Sequence, residues 1–106
     1  MSELDRQFVE LGDNVTQLIS LLEESDEAFW VPYLRRGLNQ VRENRLSGAT
    51  FILGCYGGQE TFSDLVIGRQ FERSDPLRFR NLNARLESLR TRTFESANAI
   101  TSRRAW

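Results

Sequence analysis

One short segment holds most of the side chains that could perform chemistry. Between Leu53 and Leu65 the chain has its single cysteine, Cys55, a tyrosine, three glycines and the carboxylates Glu60 and Asp64. Carboxylates four residues apart can share one face of a helix and act as acid and base in a hydrolase, here with Arg69 nearby. The same spacing is common on solvated surfaces, where Asp64 would serve as a capping group instead.

The basic residues argue against catalysis. All fourteen are arginine, and the chain contains no histidine. Histidine is the side chain whose unperturbed pKa lets it exchange protons near neutral pH, so Ser-His-Asp, Cys-His and histidine-metal chemistry are excluded together. Cys55 lacks the base that would activate it and is expected to pack as a small apolar residue. We therefore expect a protein that is not an enzyme and that uses no metal or cofactor.

The glycines of this segment could cradle a phosphate, because bare backbone amides can approach an anion closely. The phosphate-binding loop requires a Gly-Lys-Ser/Thr ending, and the dinucleotide fingerprint requires three spaced glycines after a strand. The segment around Gly54, Gly57 and Gly58 contains neither of these two motifs. A turn that ends a helix is the favoured interpretation, and ligand binding by the loop 54–69 is the alternative.

Charge is distributed unevenly along the chain. Residues 1–30 carry eight acids and one arginine, whereas residues 31–106 carry thirteen arginines and seven acids. Within this acidic part, four carboxylates cluster near the end of the first predicted helix: Glu23, Glu24, Asp26 and Glu27. These acids could pair with arginines of the last helix, or they could offer an acidic face to a basic partner.

Arginines of the last predicted helix form a row. Arg78, Arg85 and Arg92 recur every seven residues along one edge of its apolar sector, and Arg90 lies on the other edge. Such a row could neutralise nucleic-acid phosphates. The acidic pI, near 5.5, and the acids interspersed on this helix disfavour that use. The alternative is that the long side chains cover the rim of the core and pair with acids of the first helix.

Hydrophobic periodicity indicates which elements position these groups. A helical stripe predicts the first helix, and Ser25 followed by two acids indicates the start of a new helix. The second regular helix is expected over 31–44, after an irregular turn. The stripe of the first helix consists of Leu4, Phe8, Leu11, Val15, Leu18, Ile19 and Leu22.

The second half is less regular until its last helix. After a break expected at Gly48, residues 49–56 favour a short buried helix, with a strand as the alternative. Residues 61–67 suit either an extended piece or a helical turn. Asp75 followed by Pro76 is typical of a helix entry, and one helix is expected from Pro76 to Ile100. Its buried stripe comprises Phe79, Leu82, Leu86, Leu89, Thr93, Ala97 and Ile100.

These elements predict an all-α fold, a compact bundle of about four helices with a glycine-rich loop in the middle. The length of 106 residues corresponds to a single helical domain, 1–106. The apolar runs are too short to cross a membrane, and the first residues lack the pattern of a signal peptide. With one cysteine, this favours a soluble cytoplasmic protein.

The order of residues over 28–68 resembles a family of short bacterial proteins known only as a domain of unknown function. The resemblance is carried by Trp30 with Tyr33-Leu34, Gly48, Leu53, Gly57-Gly58, Phe62 and Asp64-Leu65. It departs from that pattern where Gln59-Glu60-Thr61 replaces Met-Gly-Ser and where Ser63 replaces an asparagine. It implies a small helical bacterial protein and supplies no catalytic residues.

In size and composition the chain is also similar to immunity proteins, which neutralise toxins secreted by rival bacteria. A protein of that kind presents a rigid charged or aromatic face to its target. We therefore expect a non-catalytic binding module of immunity or antitoxin type, with another protein, such as a basic secreted toxin, as partner. The expected contact residues are Glu23, Glu24, Asp26 and Glu27, then Glu60 and Asp64. A homodimer through leftover apolar surface is the competing possibility.

Overall fold

The computed structural model describes residues 1–57 and 61–103, and within them the chain is helical without β-strands. These two ranges contain four α-helices: α1 (Glu3–Glu24), α2 (Val31–Arg42), α3 (Leu46–Gly54) and α4 (Pro76–Thr101). Two single-turn 3₁₀ helices, Phe62–Asp64 and Arg69–Phe71, lie between α3 and α4. The all-α prediction is confirmed. The predicted count of about four omits the two 3₁₀ segments, and the glycine-rich loop lies partly outside the described residues, at 58–60.

Each α-helix of the bundle packs mainly against two others. Helix α1 packs against α2 on one side and α4 on the other, and α3 closes the core by packing against α2 and α4. The predicted stripe of α1 is buried from Phe8 to Leu22, whereas Leu4 is partly exposed. Both neighbours run antiparallel to α1. For α2, Glu23 pairs with Arg35 near the start of the helix, and Asp5 bonds to Asn44 just after its end. For α4, Glu24 pairs with Arg85, and the earlier Asn14 bonds to the later Ser96.

Capping groups fix the ends of the two long helices. Ser2 and Asp5 form a reciprocal capping box at the start of α1, and the Asp75 carboxylate accepts the Arg78 amide at the start of α4. The entry at Asp75-Pro76 is therefore confirmed. Helix α4 continues without a break for 26 residues. Asn14 of α1 donates to the Ser96 hydroxyl of α4 over 3.2 Å, which ties the two helices together inside the interface.

Helix α3 begins three residues earlier than predicted. Gly48, expected to separate elements, lies inside the helix, where a Cβ atom would come within 2.6 Å of the Val41 backbone nitrogen. Glycine is required there because α3 approaches the backbone of α2 too closely for any side chain. Helix α3 ends at Gly54, so Cys55 follows the helix rather than lying within it.

Side chains of α4 hold the segment that links α3 to it. Asn83 pairs with both backbone groups of Ile67, at 3.0 and 2.8 Å. Arg90 donates to the carbonyls of Phe62 and Leu65 at 3.0 and 2.9 Å. Residues 62–67 thus form one helical turn followed by an extended piece, combining the two alternatives that the sequence leaves open.

Candidate partner-binding corner

The four predicted acids lie together where α1 ends and the chain turns toward α2. Glu23 and Glu24 are exposed and pair with Arg35 and Arg85, at 2.9 and 3.2 Å. The expectation that acids of the first helix meet arginines of the last is confirmed for Glu24 and Arg85. Exposed ion pairs contribute at most about 1 kcal/mol, so both carboxylates remain able to exchange partners. We call Glu23, Glu24, Asp26 and Glu27 the acidic corner.

The prediction that Ser25 starts a helix is wrong. Its hydroxyl donates to the Leu21 carbonyl at 2.6 Å, and the residue caps the end of α1. Asp26 then takes a left-handed backbone conformation with φ of 57°, which an aspartate tolerates better than most side chains. The Glu27 amide donates to the Leu22 carbonyl at 2.8 Å and completes the turn. Asp26 is therefore presented directly beyond the end of α1.

The backbone of α1 adds to the negative potential of the corner. The last carbonyls of a helix carry about half a negative charge, which favours nearby cations. The last turn of α1 contains no basic residue and ends in Glu23 and Glu24 instead. The helix end and the two carboxylates therefore both make the electrostatic potential of the corner more negative. Arg35 and Arg85, reaching over from α2 and α4, offset part of this potential.

Exposed aromatic side chains border the acidic corner. Phe29 is 65% exposed and Tyr33 is 45% exposed, and their rings lie 5.8 Å apart. Trp30 contacts both rings, and on its inner side it meets the buried Phe62 at 5.7 Å. We call Phe29, Trp30 and Tyr33 the aromatic cluster. Phe29 lies before the start of α2 and outside both predicted apolar stripes, so periodicity gives no signal for it.

A groove lies at the acidic corner, lined by three of its four carboxylates. Its walls combine carboxylates with apolar side chains, and its volume is about 460 Å³. A long side chain with an apolar stem and a cationic head matches both kinds of wall. The groove is lined by Glu23, Asp26, Glu27, Ala28, Val31 and Pro32.

The glycine loop contributes less than its composition suggests. Glu60 lies outside the described residues, so its pairing with Asp64 stays a prediction. Asp64 is exposed on the turn Phe62–Asp64, and Arg69 forms an exposed ion pair with Glu72 at 3.3 Å. Of the residues in the hydrolase hypothesis, the structure describes Asp64 and Arg69. Asp64 is a surface carboxylate, and Arg69 is already paired with Glu72.

The remaining reactive groups of this segment point inward. Cys55 is buried, its thiol lies 3.7 Å from the Phe51 carbonyl, and burial raises its pKa. The Tyr56 hydroxyl donates to the Arg90 carbonyl at 2.8 Å, and burial raises the pKa of this phenol as well. Both groups are held in their neutral forms. The predicted packing role of Cys55 is confirmed.

The arginines predicted to form a row have different surroundings. Arg78 stacks over the Phe71 ring at 4.0 Å, and Arg85 pairs with Glu24. Arg92 is exposed and forms no ion pair with a described residue. Arg90, on the opposite edge, is only 14% exposed because it holds the loop carbonyls. Two members of the row therefore have partners within the chain.

The described residues contain no candidate for a metal site or for a membrane-spanning helix. Neither 1–57 nor 61–103 contains three or more His, Cys, Asp or Glu side chains grouped so that they could hold a metal ion. None of the helices in these two ranges combines the length and the apolar character needed to cross a membrane. The acidic corner with its groove is therefore the candidate site that the geometry favours.

Comparison of the chain with protein-family models, with curated proteins and with solved structures found no match. The resemblance of residues 28–68 to a bacterial domain family therefore stays a prediction, as does the likeness to immunity proteins. Function has to be argued from the geometry of the molecule itself.

Proposed function

We propose that this protein is a non-catalytic binding module that captures a basic protein through the acidic corner. One observation carries the proposal: the carboxylates at the end of α1 share a groove with apolar walls beside two exposed aromatic rings. Interfaces gain most of their binding energy from a few aromatic and charged anchors near their centre. The corner combines both kinds of anchor in one place.

The chemistry of the groove specifies what the partner contributes. An arginine or lysine side chain would lay its methylenes against Val31 and Pro32 and place its cation near Asp26 and Glu27. Phe29 and Tyr33 would offer ring faces to a second cation or to an apolar residue. We propose a basic secreted toxin as that partner, and for this protein the role of an immunity or antitoxin protein in a bacterial cytoplasm.

The test is to express each gene adjacent to this one, alone and together with this protein. We expect one arginine- or lysine-rich product to be toxic alone, to be tolerated when this protein is present, and to bind it in pure form. Electrostatic steering makes the association rate fall as salt rises from about 50 to about 500 mM.

A double variant, Asp26→Asn with Glu27→Gln, removes two charges while asparagine keeps the left-handed backbone of the turn. We expect it to bind the partner at least about tenfold more weakly, because charged interface pairs contribute more than about 1.4 kcal/mol when desolvated. Its free energy of unfolding should stay within about 0.5 kcal/mol of the wild type. Asp13→Asn, an exposed change elsewhere on α1, is the matched control.

Two results would contradict the proposal. One is a partner that binds the double variant and the wild type equally well. The other is an association rate that does not change with salt, since that would mean the carboxylates take no part in capture.

A further inference from the structure

A second groove, with the opposite chemistry, runs between α1 and α4. Its volume is about 310 Å³, within the range of small-molecule pockets. Each polar side chain described along it can donate a hydrogen bond, and none of them is a carboxylate. The lining consists of Thr16, Gln17 and Ser20 from α1 and of Arg85, Ser88, Leu89 and Arg92 from α4.

Helix geometry places the two arginines on the same wall. Arg85 and Arg92 are seven residues apart, which is two turns and about 10.5 Å along α4. They face the hydroxyls of α1 because the helices run antiparallel and pack together. Two arginines on one wall therefore share the groove with hydroxyl and amide donors.

The two arginines of the groove differ in their ion pairs within the described residues. Arg85 lies 3.2 Å from Glu24, and both side chains are about half exposed, at 55% and 53%. Arg92 has no ion-pair partner among residues 1–57 and 61–103. Its backbone carbonyl accepts from Asn14 at 3.5 Å, which fixes the helix while the side chain stays exposed. One guanidinium is available at once, and the other becomes available when an anion competes with Glu24.

We propose that the groove between α1 and α4 binds a phosphate-bearing small molecule. The guanidinium fork matches phosphate oxygens in pairs, and serine and threonine hydroxyls supply further donors. The described lining contains no aromatic ring on which a base could stack, and the chain carries a net charge of −1. Both facts favour a small ligand over a nucleic acid. The proposal does not depend on the acidic corner.

Titration with inorganic pyrophosphate at constant ionic strength tests the site. Arginine Nε–H and backbone amide resonances would be followed by NMR, and the affinity would be measured by calorimetry. We expect saturable shifts at Thr16, Ser20, Ser88 and Arg92. Arg92→Gln should weaken binding about tenfold, since a hydrogen bond to a charged group is lost. Arg80→Gln, an exposed change on the same helix outside the groove, should change the affinity less than about twofold.

A third variant separates this site from the acidic corner. Glu24→Gln frees Arg85, so pyrophosphate should bind about twofold to fivefold more tightly. The same substitution should weaken capture of a basic protein, so the two proposals can fail separately. Equal losses in Arg92→Gln and Arg80→Gln, or shifts that do not saturate, would overturn the phosphate site. Tighter binding of a short single-stranded oligothymidylate than of pyrophosphate would also overturn it, in favour of nucleic acid.

Discussion

The acidic corner and the loop after α3 contain similar residue types in opposite environments. At the corner, carboxylates line a groove, and the rings of Phe29 and Tyr33, which follow in the chain, are exposed. In the loop, Cys55 and Phe62 are buried, Tyr56 is largely covered, and Arg90 and Asn83 hold the backbone. Composition makes the loop look reactive, whereas the contacts make it structural. Exposure, in addition to residue type, decides whether a side chain can contact another molecule.

The two regions are nevertheless connected. Phe62 contacts Trp30 on one side and Tyr56 on the other, with ring centres 5.7 and 5.4 Å apart. The buried loop ring thus supports the aromatic cluster from beneath, and Phe29 and Tyr33 rest on Trp30. In the proposed binding function, the loop would therefore act indirectly, by fixing the position of Trp30. Comparing substitutions in the two regions tests this division.

The largest difference is expected between two phenylalanines. Phe62→Ala should lower the free energy of unfolding by about 3–5 kcal/mol, because a fully buried ring leaves a cavity. Phe29→Ala should lower it by less than about 0.5 kcal/mol, because that ring is mostly exposed. Urea unfolding of both variants measures the contrast. Equal losses would mean that the corner ring also belongs to the core.

Two arginines of α4, separated by one residue, provide a second comparison. Arg90→Met should cost about 2–3 kcal/mol of stability, since two loop carbonyls lose charged hydrogen bonds while the apolar stem is kept. Arg92→Met should stay within about 0.5 kcal/mol of the wild type, because its guanidinium bonds to no described residue. Hydrogen exchange at residues 62–67 should quicken in the first variant alone. Unchanged exchange there would contradict the holding role of Arg90.

Local signals in the sequence predict much of the fold. The stripe of α1 and the Asp75-Pro76 entry of α4 are read correctly because period and cap depend only on neighbouring residues. Ser25 is misread because a serine before two acids looks alike at either end of a helix, and its hydroxyl turns back to Leu21. Gly48 is misread because its role is set by α2, which no local pattern reveals.

For the candidate sites as well, local sequence patterns predict residue types but not the contacts made by packing. Clustered charge in the sequence predicts the four corner acids. The groove beside them also requires Val31 and Pro32, and these face it only after the chain has turned. The second groove depends on Thr16 and Arg92, 76 positions apart, lying across one helix interface. Such pairings arise from packing, so the sequence indicates the charge of a site but not its shape.

The smallest expected effect concerns Tyr56 and depends on pH. Its pKa in the folded protein is raised by burial, whereas in the unfolded chain it is about 10. Above pH 10 the unfolded state therefore loses a proton that the folded state keeps, and stability falls by up to about 1.4 kcal/mol per pH unit. Below pH 10 both states are neutral, and this contribution is fully present.

Tyr56→Phe should remove that alkaline slope. At neutral pH it should cost about 1 kcal/mol, the worth of the hydrogen bond to the Arg90 carbonyl. Burial also raises the pKa of Cys55 and gives a slope of the same sign at lower pH, so both proteins should carry Cys55→Ala. Urea unfolding between about pH 8 and 11 measures the difference. If the free energy of unfolding fell as steeply with pH in the Phe variant, the slope would not come from Tyr56. The ring of Tyr56 would then be more accessible to water than its contacts indicate.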